Sequence, residues 1–299
     1  MEDNMDTHTA FDEFLTFKVA SGRAKRTLQD YHRCIGYALT WLAGAGFHTT
    51  GALTRQAVRS YVAALRSGEW SEGTIGLYVR NLRTWLNWLH AEQYTDENLA
   101  AAIPAPGIVV SDRPAPPPDL LRRLVAACSG DNLALRDRAL ILLMASTGLR
   151  RGEIVLLERQ DVHLADAWLR AYTPKTSSYR FAFLTPEAQA ALQEYLSTRS
   201  DDHPALFMGR SGKPLGYHGI YQVIRRRAES AGIDPKRVNP HSFRVFLATE
   251  WMISGGDEER LLKLMGWKSP RMLEIYVRAG RRDDLQDAHD KYAPRLFED

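Results

Sequence analysis

NLALRDRALILLMASTGLRRGEI, residues 132–154, holds an apolar helix, a glycine stop and a pair of guanidiniums in close succession. The run from Asn132 to Thr147 is strongly apolar and helical in pattern, and Gly148 ends it. Arg150 lies just past that break, where a side chain can be aimed into a cleft. Taken alone, Arg150 reads better as a structural ion pair with Glu153 or Glu158 at helical spacing.

Downstream, AWLRAY (167–172) and YRFAFL (179–184) have β-type composition and flank a turn-rich Pro-Lys-Thr-Ser-Ser, which predicts a hairpin with Lys175 near its tip. Helices are expected at about 186–198, 217–231, 240–253, 257–265, 270–279 and 283–291. Upstream, Pro104, Pro106, Pro114, Pro116, Pro117 and Pro118 crowd one stretch. Proline lacks the amide donor and restricts its predecessor, so this stretch reads as a semi-extended linker. Before it the pattern is helical again. Leu28, Tyr31, Ile35, Leu39 and Leu42 share a face over 27–42, with Thr27 as N-cap, and similar stripes run over 54–68 and 71–94. Shorter helices near 8–19 and 96–102 complete a bundle of about four or five helices. Trp85 and Trp88 fall on the apolar stripes and are expected in the core. The chain is therefore expected to be mainly α: an N-terminal helical bundle over 1–105, a linker over 106–117, and a mostly helical domain with a small β-hairpin over 118–299.

The length of 299 residues suits two domains, and 44% hydrophobic with 25% charged residues is ordinary for a globular protein. No apolar run approaches the roughly 20 residues that span a bilayer. The acidic start MEDNMDTHTAFDEF has no signal-peptide core, so a cytoplasmic protein is expected. Cys34 and Cys128 form no metal motif and are expected as free thiols. Net charge is only +3, but its distribution is uneven. Residues 205–245 carry eight Lys and Arg (Arg210, Lys213, Arg225, Arg226, Arg227, Lys236, Arg237 and Arg244) against Glu229 and Asp234. Such a run is a solvated helix face or a surface for a phosphate backbone.

Three short motifs favour phosphate. Arg150 ends Thr-Gly-Leu-Arg and is followed three residues later by Glu153; His241 and Arg244 form His-x-x-Arg; Gly266-Trp267 lies nine residues before Tyr276. In this order and spacing the set resembles the tyrosine recombinase (phage integrase) family. The match is close over 118–280 and looser before the linker. The size resembles the two-domain Cre and Xer members rather than those with an additional arm-binding domain.

The resemblance implies an enzyme that cuts and rejoins DNA through a phosphotyrosine, and elementary chemistry agrees with the residue types. A phosphodiester resists attack because its anion repels nucleophiles and its alkoxide leaves poorly. Guanidinium offers a planar fork of donors to the nonbridging oxygens, which suits Arg150 and Arg244. His241 and Arg244, at i and i+3, project from one helix face, and Pro240 places His241 near a positive helix end. By resemblance His241 bonds the phosphate and accepts the phenol proton, Lys175 is the general acid for the 5′-oxygen, Trp267 donates its indole N–H and buttresses the nucleophile, and Tyr276 is the nucleophile. Glu153 supports Arg150. A phenol of pKa about 10 needs the field of nearby cations. The chain departs from the family in carrying Thr-Ser-Ser where a Gly and a second Lys are frequent, Trp267 for the commoner His, and Val245 for a second His.

The bland readings are a turn lysine at 175, a core tryptophan at 267 and a packed tyrosine at 276. The N-terminal bundle corresponds by resemblance to the family's SAM-like core-binding domain, which clamps DNA. Lys25, Arg26, Arg55, Arg59, Arg80 and Arg83 are its expected exposed phosphate contacts, joined by Arg210, Lys213, Arg225 and Arg226 beyond the linker. Bond energy stays in the phosphotyrosine link, so neither metal nor cofactor is expected. Expected partners are double-stranded DNA sites and, on them, a homo-tetramer or a hetero-tetramer with a second recombinase, exchanging strands through a Holliday junction on the nucleoid. A type IB topoisomerase uses nearly the same residues, and a catalytically silent DNA-binding accessory protein is the rival of another class.

Overall fold

In the computed structural model, residues 5–107, 115–174, 176–267 and 273 are described. The chain divides into two compact units, residues 1–110 and 111–299.

The first unit is built from four helices: α1 (Thr7–Ala20), α2 (Lys25–Gly44), α3 (Arg55–Ser67) and α4 (Glu72–Ala91), followed by a 3-10 turn at Leu99–Ala102. Side-chain oxygens set three of the starts, with Asp6, Thr54 and Ser71 each accepting an amide of the first turn. The expected cap at Thr27 is corrected: the cap lies three residues earlier, at Ala24, which offers no side-chain hydrogen bond. Phe14, Ile35, Leu39, Tyr61, Leu82 and Trp85 are fully buried, and Trp88 joins them in the core. Phe14 meets Trp88 edge-on at 5.5 Å.

The second unit starts with α5 (Pro118–Ala126), a helix that the prolines conceal in the sequence. Pro118 occupies its first turn, where the missing N–H would have no partner anyway, so the proline starts the helix rather than preventing it. Next come α6 (Asn132–Thr147), the short α7 (Arg151–Val155) and an antiparallel sheet of β1 (Val162–His163), β2 (Trp168–Thr173) and β3 (Ser178–Phe183). The expected hairpin is thus the larger part of a three-stranded sheet. Its register sets Ala171 opposite Arg180 and Thr173 opposite Ser178. Among the described residues four further helices follow: α8 (Pro186–Ser197), α9 (Tyr217–Ser230), α10 (Pro240–Ile253) and α11 (Glu258–Met265). α6 packs on α8 and α10 at the centre of the main core, where Leu140, Leu143, Leu169, Leu192 and Phe243 are fully buried. A smaller cluster of Ala248, Leu261, Met265, Trp267 and Leu273 caps the α10–α11 side.

This unit also buries charge. Asp137 accepts from Arg136 Nε at 2.9 Å and from Arg227 Nε at 2.8 Å, while Arg136 reaches the Met208 carbonyl at 2.9 Å. Arg227, counted above in the basic run, is turned into the protein. The helices expected at 270–279 and 283–291 lie outside the described residues apart from Leu273, which is buried and helical.

Candidate active site

Gly148 closes α6 in the left-handed conformation (φ 55°), with its N–H on the Met144 carbonyl. A Cβ there would meet Leu247 Cδ2 and Met265 Sδ, each at 3.1 Å. The turn delivers Arg150 to the N-cap of α7, where Glu153 at the third helical position reaches back to the Arg150 N–H at 2.8 Å. Glu153 does more than cap. Its carboxylate also accepts from Arg150 Nη1 at 3.0 Å, Thr173 Oγ1 at 3.0 Å and Arg180 Nη2 at 2.8 Å. Burial pushes the Glu153 carboxyl up, but the hydrogen bond and charge of Arg180, then the amide and charge of Arg150, hold it down at about 2. Both readings of Arg150 therefore hold at once: it is paired with Glu153, yet its side chain keeps 40% of its surface exposed.

α10 carries the next two residues. Asn239 caps it, accepting from the amides of His241 and Ser242, and Pro240 fills the first turn. Arg244 is buried, with Nη1 on the Gly148 carbonyl and Nη2 on the Met265 carbonyl at 2.8 Å. Its guanidinium carbon lies 5.7 Å from the Trp267 ring centre. His241 reaches solvent at one edge, while the protein around it and the positive charges of Arg244 and Arg150 lower its pKa. That favours the neutral imidazole, a form that can donate one hydrogen bond and accept another.

These residues meet at the end of α11. Its last carbonyls have no partner within the helix. Leu264, Met265 and Gly266 each offer theirs to a different arginine: Arg180 at 2.6 Å, Arg244 at 2.8 Å and Arg150 at 3.4 Å. Gly266, left-handed at φ 61°, ends the helix, and Trp267 is buried behind it against Met265, Leu261 and Leu273. Cations at a helix C-terminus complement its partial negative charge. The arrangement concentrates guanidiniums beside an imidazole, a donor set that fits a tetrahedral oxyanion. Among the described residues no cluster of metal-ligating side chains occurs.

Residues 117–282 match the phage integrase family. The tyrosine recombinase XerD of Xanthomonas campestris pv. campestris is 30% identical over 287 residues, covering 92% of this chain and 88% of that protein. This chain belongs to the phage integrase family. It is a tyrosine recombinase in type, similar also to XerC of Neisseria meningitidis serogroup C (29% identity, 95% of each chain). Solved structures share its fold at lower identity. The lambda integrase fragment 75–356, a dimer bound to a core site, has TM-score 0.73 at 17% identity and covers 93% of this chain and 96% of that one. XerA recombinase has TM-score 0.54 at 22% identity over 97% and 100%. XerH, bound to a palindromic difH substrate, has TM-score 0.72 at 16% identity over 91% and 82%.

Within this recombinase, Arg150, Glu153, His241, Arg244 and Trp267 come together, whereas Lys175 and Tyr276 lie outside the described residues. Of the expected surface contacts, Lys25 and Arg80 are exposed, Arg26 faces Asp30 at 3.7 Å, Arg55 pairs with Glu97 at 2.7 Å, and Arg59 reaches the Ala102 carbonyl at 3.1 Å. Arg83 is corrected: it is half-buried and donates to the carbonyls of Ala100 and Ile103, which fastens the 3-10 turn to α4. Its place one turn from Val79 and Leu86, both buried, is the signal for that. In the second unit Arg210, Lys213 and Arg226 line a cleft of about 620 Å³ with Gln222, and Arg225 pairs with Glu229 at 2.9 Å.

Two contributors escape the sequence reading. Asn239 was legible as a cap residue before Pro240. Arg180 gave no such signal: alternation with the aromatics of β3 buried would have turned it outward, whereas Tyr179, Phe181 and Phe183 face out and Arg180 and Ala182 face inward.

Proposed function

We propose that this recombinase cleaves and rejoins DNA strands at specific sites through a 3′-phosphotyrosine on Tyr276. Arg150 and Arg244 hold the nonbridging oxygens of the scissile phosphate. The Tyr276 oxygen attacks phosphorus, its proton passes to neutral His241, the bond to the 5′-oxygen breaks, and Lys175 protonates that oxygen. Rejoining runs the same steps backwards with a 5′-hydroxyl as nucleophile. Trp267 buttresses Arg244 and the segment that leads to Tyr276. The N-terminal bundle, residues 1–105, acts as the clamp on the duplex, with the linker 106–117 joining it to the catalytic domain. Strands are exchanged between two sites through a Holliday junction within a tetramer, of this chain alone or with a second recombinase, on nucleoid DNA. The observation that carries the reading is the convergence of Arg150 and Arg244 on the end of α11, with His241 within reach of their charge and Trp267, just past that end, nine residues ahead of Tyr276.

The test is covalent trapping on a nicked duplex whose sequence is first selected by wild-type binding from a randomised pool. Tyr276→Phe removes only the nucleophilic oxygen, so it should fold and bind the duplex but yield no covalent adduct. An adduct with the Phe variant, or one mapped to another tyrosine, overturns the assignment. Relaxation of supercoiled plasmid without strand exchange between two sites would favour a topoisomerase instead.

A further inference from the structure

Arg180 takes no part in the reaction just described, yet it joins the segments that carry it. Its side chain is only 10% exposed. It sits on the inward face of β3 while three aromatic neighbours face out, which inverts the usual preference of a strand for burying its apolar residues. A guanidinium inside a protein needs acceptors. Arg180 finds one on each side: Glu153 at 2.8 Å and the Leu264 carbonyl at 2.6 Å. Its Cδ packs 3.2 Å from where a Cβ on Gly266 would stand. Thr173, the last residue of β2, bonds the same carboxylate. Both strands that flank residue 175 are therefore tied to the acid that anchors Arg150.

Charge shows what this achieves. Glu153 paired with Arg150 alone would form a neutral couple, and the carboxylate behind the guanidinium would repel an incoming phosphate. With Arg180 on its other side, the Glu153 charge is balanced and one full positive charge is left over. That charge sits at Arg150, the member of the trio with solvent-facing surface. We propose that Arg180 is a positioning residue of the recombinase reaction: it neutralises Glu153 and fixes the end of α11, so that Arg150 presents an undiminished positive charge to the scissile phosphate. The proposal rests on the reading of Arg150 as a phosphate ligand.

The test uses the full chain and the selected nicked duplex, with single-turnover adduct formation measured on fully bound DNA, and thermal melting alongside. Arg180→Gln keeps a donor but removes the charge, and should slow adduct formation about 100-fold, in the range for loss of one transition-state donor, with duplex binding changed less than about 3-fold. Arg180→Lys, which keeps the charge, should fall between that variant and the wild type. The deciding variant is Arg180→Gln combined with Glu153→Gln. Removing the unbalanced carboxylate should restore at least ~10-fold over Arg180→Gln alone, a coupling that a purely structural contact does not produce. A double variant no faster than the single one, or Arg180→Gln at the wild-type rate, overturns the proposal. If Arg180→Gln does not fold, the double variant and Arg180→Lys decide: both folded and both as slow as Arg150→Ala would equally overturn it. A wild-type chain that forms no adduct overturns the reaction reading itself, and the role of Arg180 with it.

Discussion

Asp137 and Glu153 are two buried carboxylates of the same unit, each held between two arginines, and only their surroundings differ. At Asp137 both partners are inside: Arg136 is 3% and Arg227 18% exposed. At Glu153 one partner, Arg180, is inside, while Arg150 keeps a solvent-facing side. The first trio closes on itself and ties α6 to α9. The second is open on one side. A buried ion cluster is by itself weak evidence of function, because the same chemistry serves to hold helices together. What singles out the second as the candidate site is the guanidinium it leaves half outside, with Arg244 and His241 beside it.

Substitution should split the two trios cleanly. Arg150→Ala should lower the cleavage rate of bound DNA by about 100- to 1,000-fold. Arg227→Ala should leave the rate per folded molecule at the wild-type value. Stability should run the other way: Arg227→Ala removes the buried tie from α9 to Asp137 and to the Ala127 carbonyl, leaves Arg136 to neutralise Asp137, and should lower unfolding free energy by about 1–3 kcal/mol in a denaturant titration. Arg150→Ala should lower it less, since Arg180 and Thr173 still hold Glu153. Equal losses of stability from both would erase the distinction.

Acid sharpens the comparison further. The Glu153 carboxyl is held down at about 2 against an ordinary value of 4.5. A depressed carboxyl stabilises the fold fully above its unfolded value and ceases to do so as pH falls through its folded value. Roughly 3 kcal/mol should therefore disappear between about pH 4.5 and 2, and Glu153→Gln should remove that dependence from the stability–pH curve. The smallest effect belongs to the surface. Arg226→Ala should reduce the salt dependence of duplex binding by about one unit of slope, measured by titration at several salt concentrations, and leave cleavage of bound DNA untouched.

Much of this molecule was legible in its sequence. Gly148 and Pro240 punctuate the two helices that present Arg150 and Arg244, and short-range punctuation is what local sequence encodes best. The long amphipathic helices of the first unit were legible for a similar reason, since their stripes repeat over several turns. What escaped depends on partners distant in sequence. α5 hides behind Pro117 and Pro118, because a proline that begins a helix and one that prevents it look alike until the following turn is packed. β1 is two residues long and exists only through its pairing with β2. Arg83 and Arg180 look like surface charges until the carbonyls they serve, 17 and 84 residues away, are brought to them. Periodicity finds which face is buried, but not which buried face requires a cation.

Gly148 and Gly266 stand 118 positions apart, yet both end a helix in the left-handed conformation and both abut the side chains of the site. At Gly148 a methyl group would press on Met265 and Leu247; at Gly266 it would press on Arg180. Alanine would be strained at both positions, for backbone and side-chain reasons together. A randomised library scanned across this domain should thus show two narrow troughs of tolerance at glycines that perform no chemistry, as deep as those at the arginines. In the history of such a chain these are the positions that cannot drift, so their silence under selection would trace the outline of the site as faithfully as the charged residues inside it.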